Sequence, residues 1–125
     1  MLKFSNYEVE ETRFRKDLNA TQNSDELSPT VECNIMRKKD NENEMAIRLS
    51  IEIGEDNQES SLYVFAKVVG FFEQEDEGLD LSANAVAILF PYVRSLVSDL
   101  TSKGSDDPII LPPINVNTLL EKDVD

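Results

Sequence analysis

The chain has 125 residues and a formal net charge of −13, from 12 basic and 25 acidic residues. A chain of this length suits one domain, so we expect residues 1–125 to form a single one. The charge would repel phosphate backbones and anionic lipids, so we expect neither nucleic-acid binding nor membrane insertion. The sequence contains no histidine, which removes the usual general base and every Ser-His or Cys-His arrangement. We therefore do not expect an enzyme.

Four stretches of the chain carry the apolar alternation of β-strands. The predicted strands lie at residues 4–15, 31–35, 45–53 and 61–73, with polar or charged turns at 17–29, 37–44, 54–60 and 73–78. The first is charge-rich and irregular, which predicts an edge strand or a bulge. The third is the clearest, because its apolar residues from Met45 to Ile53 all lie on one face.

The fourth predicted strand, SLYVFAKVVGFFE, is apolar at nearly every position. One face carries Leu62, Val64, Val68 and Phe72, and the other carries Tyr63, Phe65, Val69 and Phe71. A strand that is apolar on both faces must be covered on both. One face can pack against a helix of the same chain, so we expect the other to need a second subunit or a ligand. Left in water, it would form a large apolar patch, which usually marks an interaction site.

A helix is predicted to follow the last strand, with Ser82 or Asn84 as its N-cap and Lys103 and Gly104 at its end. Its buried stripe is expected to contain Val86, Leu89, Phe90, Val93, Val97 and Leu100. Pro91 lies inside this pattern, where a proline normally costs about 3 kcal/mol. The order of four strands and then a helix predicts an antiparallel α+β domain.

The segment after the helix is predicted in two parts. Prolines make residues 109–115 extended, because a proline disfavours α geometry in the residue before it. Residues 116–123 can form a turn or two of a short final helix.

No constellation for catalysis or cofactor binding stands out. The acidic stretches EQEDEG and DNENE lack the spacing of a calcium-binding loop, so we expect solvated turns and no metal or cofactor. The single cysteine, Cys33, shares a face with Val31 and Ile35 and is expected to be a buried structural thiol. A binding function remains.

The stretch AILFPYVRSLVSDLTSKGSDDPIILPPINVNTLL resembles the most characteristic region of the SecB family of protein-export chaperones. The residues that carry the resemblance are Leu89, Phe90, Pro91, Tyr92, Arg94, Lys103, Gly104, Leu111, Pro113, Ile114, Asn115, Leu119 and Leu120. The third and fourth predicted strands are similar to that family in pattern, with Gly70 before the aromatic pair. The superfamily also holds divergent members, among them chaperones dedicated to toxin–antitoxin systems.

The resemblance implies a four-stranded antiparallel sheet with one long helix on one side, in protomers that form homo-oligomers, either dimers or tetramers. It also suggests that Pro91 kinks or locally opens the helix and frees the carbonyl of Ala87. A bent helix could then follow a twisted sheet or meet its symmetry mate at a fixed angle.

The activity implied is ATP-independent binding of unfolded or partly folded polypeptide in apolar grooves, for protein export or for a dedicated client such as an antitoxin. By position, the client-binding candidates are Val64, Phe65, Phe71, Phe72, Ile114, Val116, Leu119 and Leu120. The alternative is a structural or regulatory interaction protein that keeps the fold without the chaperone activity. The N-terminal MLKFSNYEVEETR lacks the apolar stretch of a signal peptide, so we expect a cytoplasmic location.

The chain also departs from the family pattern. Arg13 stands where the family's first strand has an acid that helps to dock the motor SecA, although Asp17 can replace a second one. Ala66 and Lys67 stand where its fourth strand has glutamate, and the C-terminal helix is short. These departures weigh against docking to SecA.

Overall fold

The computed structural model describes residues 2–16, 29–37, 43–54, 62–74, 80–103, 110–112, 116 and 119–120. Their elements are β1 (Leu2–Lys16), β2 (Thr30–Arg37), β3 (Glu44–Ile53), β4 (Leu62–Gln74) and α1 (Ser82–Ser102). The predicted order of four strands followed by a helix is confirmed. The predicted turns lie mostly outside the described residues.

The strands form one sheet in the order β1-β4-β3-β2, and every neighbouring pair is antiparallel. The most apolar strand, β4, therefore lies between β1 and β3, while β1 and β2 are at the edges. The register of β1 on β4 shifts between Phe4 and Asn6 and again between Val9 and Glu11. These shifts confirm the irregular edge strand, because each leaves one residue of β1 without a partner.

The helix α1 covers one side of the sheet, which we call the inner face; the opposite side is the outer face. The inner face is the core of the protein, and its most buried strand residues are Ile47, Leu49, Ile51, Ile53, Val64, Ala66 and Val68. The helix contributes Ala85, Val86, Leu89, Phe90, Val93 and Val97. All predicted stripe residues are buried except Leu100, which is partly buried against the cluster.

Gly70 of β4 lies directly beneath Leu89 of the helix. A Cβ atom added there would lie 2.9 Å from Cδ1 of Leu89 and 3.0 Å from Cε2 of Phe72. A side chain at this position would push the Leu89 methyl groups or the Phe72 ring aside, so the glycine leaves room for Leu89 to pack on β4.

The start of α1 differs from the prediction of Ser82 or Asn84 as the N-cap. Leu81 is the N-cap and makes no side-chain cap hydrogen bond. Asp80 performs that task from one residue earlier: its Oδ1 accepts hydrogen bonds from the Ser82 amide at 3.0 Å and the Ser82 hydroxyl at 2.6 Å. Both hydrogen bonds, the hydroxyl one first, lower the pKa of Asp80. Arg37 donates to the same hydroxyl at 3.1 Å and so ties the end of β2 to the helix.

The helix runs through Pro91, which lies on its exposed side, and ends with Lys103 as its C-cap. Beyond it, Leu111 and Leu119 belong to the buried cluster, and Val116 and Leu120 pack against it. Val116, Leu119 and Leu120 have helical backbone, as expected for the short final helix. Gly104 and Ile114 lie outside the described residues.

Candidate functional site

The outer face carries the second apolar side of β4. Its β4 residues, which alternate with those of the core, are Tyr63, Phe65, Lys67, Val69, Phe71 and Glu73. None of the described strands or the helix α1 lies over this face, because α1 packs on the inner one. The sequence predicts that this face needs a second subunit or a ligand to cover it, and the burial of its residues tests that prediction.

That expectation is wrong for half of the apolar positions. Tyr63 is only 3% exposed and Val69 only 4%, without any second chain. The Tyr63 hydroxyl donates to Glu52 Oε2 at 2.8 Å. Long polar side chains of neighbouring strands thus cover part of β4, since their stems can lie on apolar surface while their charges face water.

An ion pair crosses β4 at the level of Val69. Arg48, the β3 partner of Val69, donates through Nε to Glu10 Oε1 at 2.6 Å and through Nη2 to Oε2 at 3.1 Å. Glu10 belongs to β1, at the second register shift. The hydrogen bond from Arg48 is the main reason that the pKa of Glu10 lies below its ordinary value. This two-point contact divides the outer face into two ends.

The first end is a recess of about 470 Å³, which we call the larger recess. Its floor is one cross-strand row of outer-face residues, Asn6, Phe71, Ala46 and Met36. Glu44 and Glu73, which form the next row, also line it. Its volume falls within the range of about 300–1,000 Å³ typical of ligand pockets. The floor is mainly apolar, and the flexible thioether of Met36 can adapt to different side chains.

The second end is a recess of about 150 Å³, the smaller recess, lined by Thr30, Glu32, Ser50, Ile51, Glu52 and Phe65. The Phe65 ring also faces cations, since the Arg13 guanidinium lies 5.5 Å and the Lys67 ammonium 5.8 Å from its centroid. Arg13 is paired with Glu11 at 2.5 Å. The smaller recess therefore combines an aromatic ring with two carboxylates.

The structure distributes the predicted site residues of β4 over both faces. Val64 is fully buried in the core, and Phe72 is 3% exposed and stacks on Phe4 with ring centroids 5.1 Å apart. Phe65 and Phe71 are half-buried on the outer face, one in each recess. Two of the four are thus positioned to meet a partner without rearrangement of the core.

The C-terminal candidates lie against the inner-face cluster. Leu119 is 7% exposed, and Val116 and Leu120 are partly buried against the core. Ile114 lies outside the described residues. Ile110 is 74% exposed and was not among the sequence candidates.

Sequence reasoning missed the residues that β2 and β3 contribute to the recesses. Met36 and Ala46 lie beside Phe71, while Glu32 and Glu52 lie near Phe65. Their alternation with the buried residues of the same strands places them on the outer face. Which of them meet across the sheet depends on register, and no single strand contains that signal.

A second exposed apolar region lies where β1 meets the helix. Tyr7 and Tyr92 are 42% and 41% exposed, and their rings are 4.6 Å apart. Tyr92 also contacts Phe4, at 5.6 Å between ring centroids. Val9 and Ile88 are other exposed apolar residues of β1 and α1. The structure contains a single chain, so the expected homo-oligomer stays a prediction.

Among the described residues, no helix is long and apolar enough to cross a membrane. The expected cytoplasmic location stays a prediction. Within the same residues, no group of three or more cysteine, aspartate and glutamate side chains is placed to hold a metal ion.

The amino-acid sequence was compared with protein families and with individual proteins. The family model described as "Preprotein translocase subunit SecB" matches residues 11–125. An uncharacterized protein of Methanocaldococcus jannaschii is 40% identical over 125 residues, which cover 92% of this chain and 79% of that protein. The protein-export protein SecB of Methylococcus capsulatus is 35% identical over 105 residues, or 77% of this chain and 67% of that protein.

The corresponding protein of Alcanivorax borkumensis is 34% identical over 88 residues, covering 66% of this chain and 56% of its own length. The chain thus matches between about half and two thirds of these two export proteins.

Two solved structures share the fold. A Mycobacterium tuberculosis SecB-like chaperone, in complex with a ChAD peptide from the HigA1 antitoxin, has a TM-score of 0.69 at 16% identity. The match covers 91% of this chain and 88% of that one. A Streptococcus agalactiae protein of unknown function has a TM-score of 0.52 at 12% identity, covering 90% and 98% of the two chains. The expected SecB-like α+β fold is confirmed.

Proposed function

Since the chain belongs to the SecB family, we propose that it binds unfolded or partly folded polypeptides through apolar surface, without nucleotide. Burial of client side chains contributes about 25 cal/mol per Å² of apolar area before the cost of ordering the client. Such binding tolerates many sequences because it is not directional.

The observation that supports this function best is the larger recess on the outer face. Phe71 remains half-buried in one cross-strand row with Ala46 and Met36, in a mainly apolar depression of about 470 Å³. A client residue can enter it without opening the core, and the adaptable Met36 suits side chains of different shape. We assign Phe71 and Phe65 as outer-face client contacts.

The C-terminal candidates supply a second contact region in this proposal. Leu119 and Leu120 cover the inner-face cluster, and Ile110 is exposed nearby in the chain. Together with Val116 and Ile114 they would release or extend apolar surface when a client binds. Val64 contributes indirectly, because it is fully buried in the core, whereas Phe72 is 3% exposed and also lines the larger recess.

The client can be an exported protein or one dedicated protein such as an antitoxin. The antitoxin peptide bound by the Mycobacterium tuberculosis relative supports the dedicated client. The departures from the export family point the same way. Arg13 and Lys67 are basic side chains near Phe65, whereas Ala66 is buried in the core and can present nothing on the outer face. A basic outer-face position at Lys67 disfavours a partner that recognises acids there.

The test is suppression of aggregation of a reduced, unfolded model protein at near-stoichiometric ratio. The wild-type chain should suppress it, and Phe71→Asp and Leu120→Asp should each weaken suppression several-fold while circular dichroism stays unchanged. Ile88→Asp is the matched control, because Ile88 is a 37% exposed apolar residue of the helix. Loss of suppression in Ile88→Asp but not in Phe71→Asp would show that the outer face is not the contact surface.

The second candidate is a structural or regulatory interaction protein with one folded partner. The burial of Tyr63 and Val69 by their own strands favours it, because it reduces the apolar area open to arbitrary clients. Absence of aggregation suppression together with tight binding to one folded protein would select this alternative.

A further inference from the structure

Two of the three methionines lie within the described part of the chain, and their sulfurs are in different environments. Met36 is half-buried on the outer face, in the edge strand β2, and lines the larger recess. Met45 also borders that recess, but it belongs to the core and is only 3% exposed. The oxidation of a thioether follows its exposure. A dissolved oxidant should therefore reach Met36 in the folded protein much faster than Met45.

A hydrogen-bond donor is already directed at the Met36 sulfur. Nη1 of Arg48 lies 3.9 Å from Sδ of Met36 and donates to it. The other two nitrogens of this guanidinium, Nε and Nη2, donate to the Glu10 carboxylate at 2.6 and 3.1 Å. Glu10 thus holds the guanidinium across β4 with Nη1 turned towards Met36. A thioether is only a weak acceptor, so this contact contributes little while Met36 is reduced.

Oxidation of Met36 by a peroxide converts this weak acceptor into a strong one. A sulfur lone pair attacks one oxygen of hydrogen peroxide, the O–O bond breaks and an S–O bond forms. The proton on the transferred oxygen passes through solvent to the departing hydroxide, which leaves as water. The sulfur loses two electrons and the peroxide gains them, so no further reactant is needed. The product is methionine sulfoxide, a polar side chain in place of an apolar one.

We propose that Met36 is a peroxide-sensitive modification site that controls the larger recess. Its sulfoxide oxygen accepts a hydrogen bond from Nη1 of Arg48 and is held in the cross-strand row of Ala46 and Phe71. A polar oxygen in that row loses its contact with water when an apolar client side chain enters, so binding weakens. The control of binding rests on the proposed function, whereas the modification itself does not.

The modification site is tested on the full folded chain with hydrogen peroxide, which catalase then removes before peptide mass spectrometry. Trypsin cleaves after Arg37, so Met36 and Met45 fall in different peptides. Met36 should be oxidised about tenfold faster than Met45 in the folded chain, and at a similar rate once urea has unfolded it. Equal rates in the folded chain overturn the site.

The control of the recess is tested as the ratio of aggregation suppression after and before peroxide treatment. The ratio should fall several-fold in the wild-type chain and equally in Met45→Leu. It should stay unchanged in Met36→Leu, which cannot form the sulfoxide. A fall in Met36→Leu as large as in the wild type overturns the control, and so does unchanged wild-type suppression once Met36 is fully oxidised.

The part assigned to Arg48 is tested by Arg48→Leu. Without the guanidinium the sulfoxide oxygen can turn to water, so peroxide should lower suppression clearly less than in the wild type. Glu10→Gln is the matched control, because its amide oxygen can still accept from Arg48, and it should respond as the wild type does. Equal falls in Arg48→Leu and the wild type overturn the role of Arg48.

These outcomes separate the inference from the proposed function. Absence of suppression before any treatment contradicts the proposed function and, with it, the control of binding by Met36, while the oxidation rates still decide the modification site. Selective oxidation of Met36 without loss of suppression contradicts the control and leaves the proposed function standing.

Discussion

The two faces of the sheet follow the same strand alternation, yet they are closed in different ways. On the inner face, Ile47, Leu49 and Val64 are fully buried in a cluster to which the helix contributes apolar side chains. On the outer face, Val69 is equally hidden, but the polar contact above it is the Glu10–Arg48 ion pair. Apolar packing makes the inner face rigid and stabilising, whereas exposed ion pairs contribute little and can be displaced by a partner. Inner-face changes should therefore lower stability, and outer-face changes should lower binding.

The largest effect is expected for Val93→Asp, at the centre of the inner face. Val93 is 0% exposed, so the substitution places a charge in the core without a partner. We expect a loss of more than about 4 kcal/mol, most of the free energy of unfolding of a typical domain. Urea unfolding followed by circular dichroism measures it. Ser95→Asp, on the exposed side of the same helix, should change stability by less than about 0.5 kcal/mol.

The neighbouring phenylalanines give the sharpest contrast between the faces. Phe72→Ala removes a ring that is 3% exposed and should cost about 3–5 kcal/mol of unfolding free energy. Phe71→Ala removes a half-buried ring and should cost clearly less while weakening polypeptide binding more, when each variant is assayed below its unfolding transition. Chemical unfolding and aggregation suppression on the same samples give both numbers. Similar stability losses would mean that the outer face is as much core as the inner one.

A smaller effect is expected where the inner-face helix begins. Asp80→Ala removes the acceptor for the Ser82 amide and should cost about 1 kcal/mol, as for loss of a helix cap. Asn84→Ala removes a residue that the sequence alone offered as N-cap, and should be nearly neutral because Asn84 is exposed inside the helix. Thermal unfolding of both variants compares them. A larger loss for Asn84→Ala would reverse the order of the two positions.

The smallest effect concerns the outer-face ion pair. The pKa of Glu10 is lowered in the folded chain, so its stabilisation is present above the unfolded pKa of about 4.3 and is lost as pH falls through the lower folded value. Glu10→Gln should therefore cost about 0.5 kcal/mol at pH 7, since the pair is partly exposed, and almost nothing near pH 2. Urea unfolding across this range measures the difference. A cost that does not vary with pH would show that the charge of Glu10 is not involved.

The element types and their order along the chain could be predicted from local patterns. The alternation in β3 and β4 and the helical stripe from Val86 to Val97 each repeat within a short segment, so the sequence contains their period directly. The helix start was the exception: Ser82 and Asn84 were plausible N-caps by residue type, but the Ser82 amide donates to the side chain of Asp80, two residues earlier.

The candidate site could be predicted only in part. The family resemblance led to β4, and alternation placed Phe65 and Phe71 on one face and Val64 and Phe72 on the other. Grouping all four as contact residues combined core positions with surface positions. The sequence also did not predict that side chains of the same protein cover part of the outer face of β4. The Glu10–Arg48 ion pair on that face joins residues 38 positions apart, which no local pattern reveals.

The amino-acid sequence alone therefore determined the element types, the two apolar sides of β4 and the family, because these depend on residue identity at short spacing. The tertiary structure decided which side the helix covers and which side chains share the outer face. That choice depends on strand order and register, which pair Phe71 with Ala46 and bring Met36 and Glu32 from the far edge of the sheet into the recesses. Such pairings arise from contacts between distant strands, and no local period specifies them.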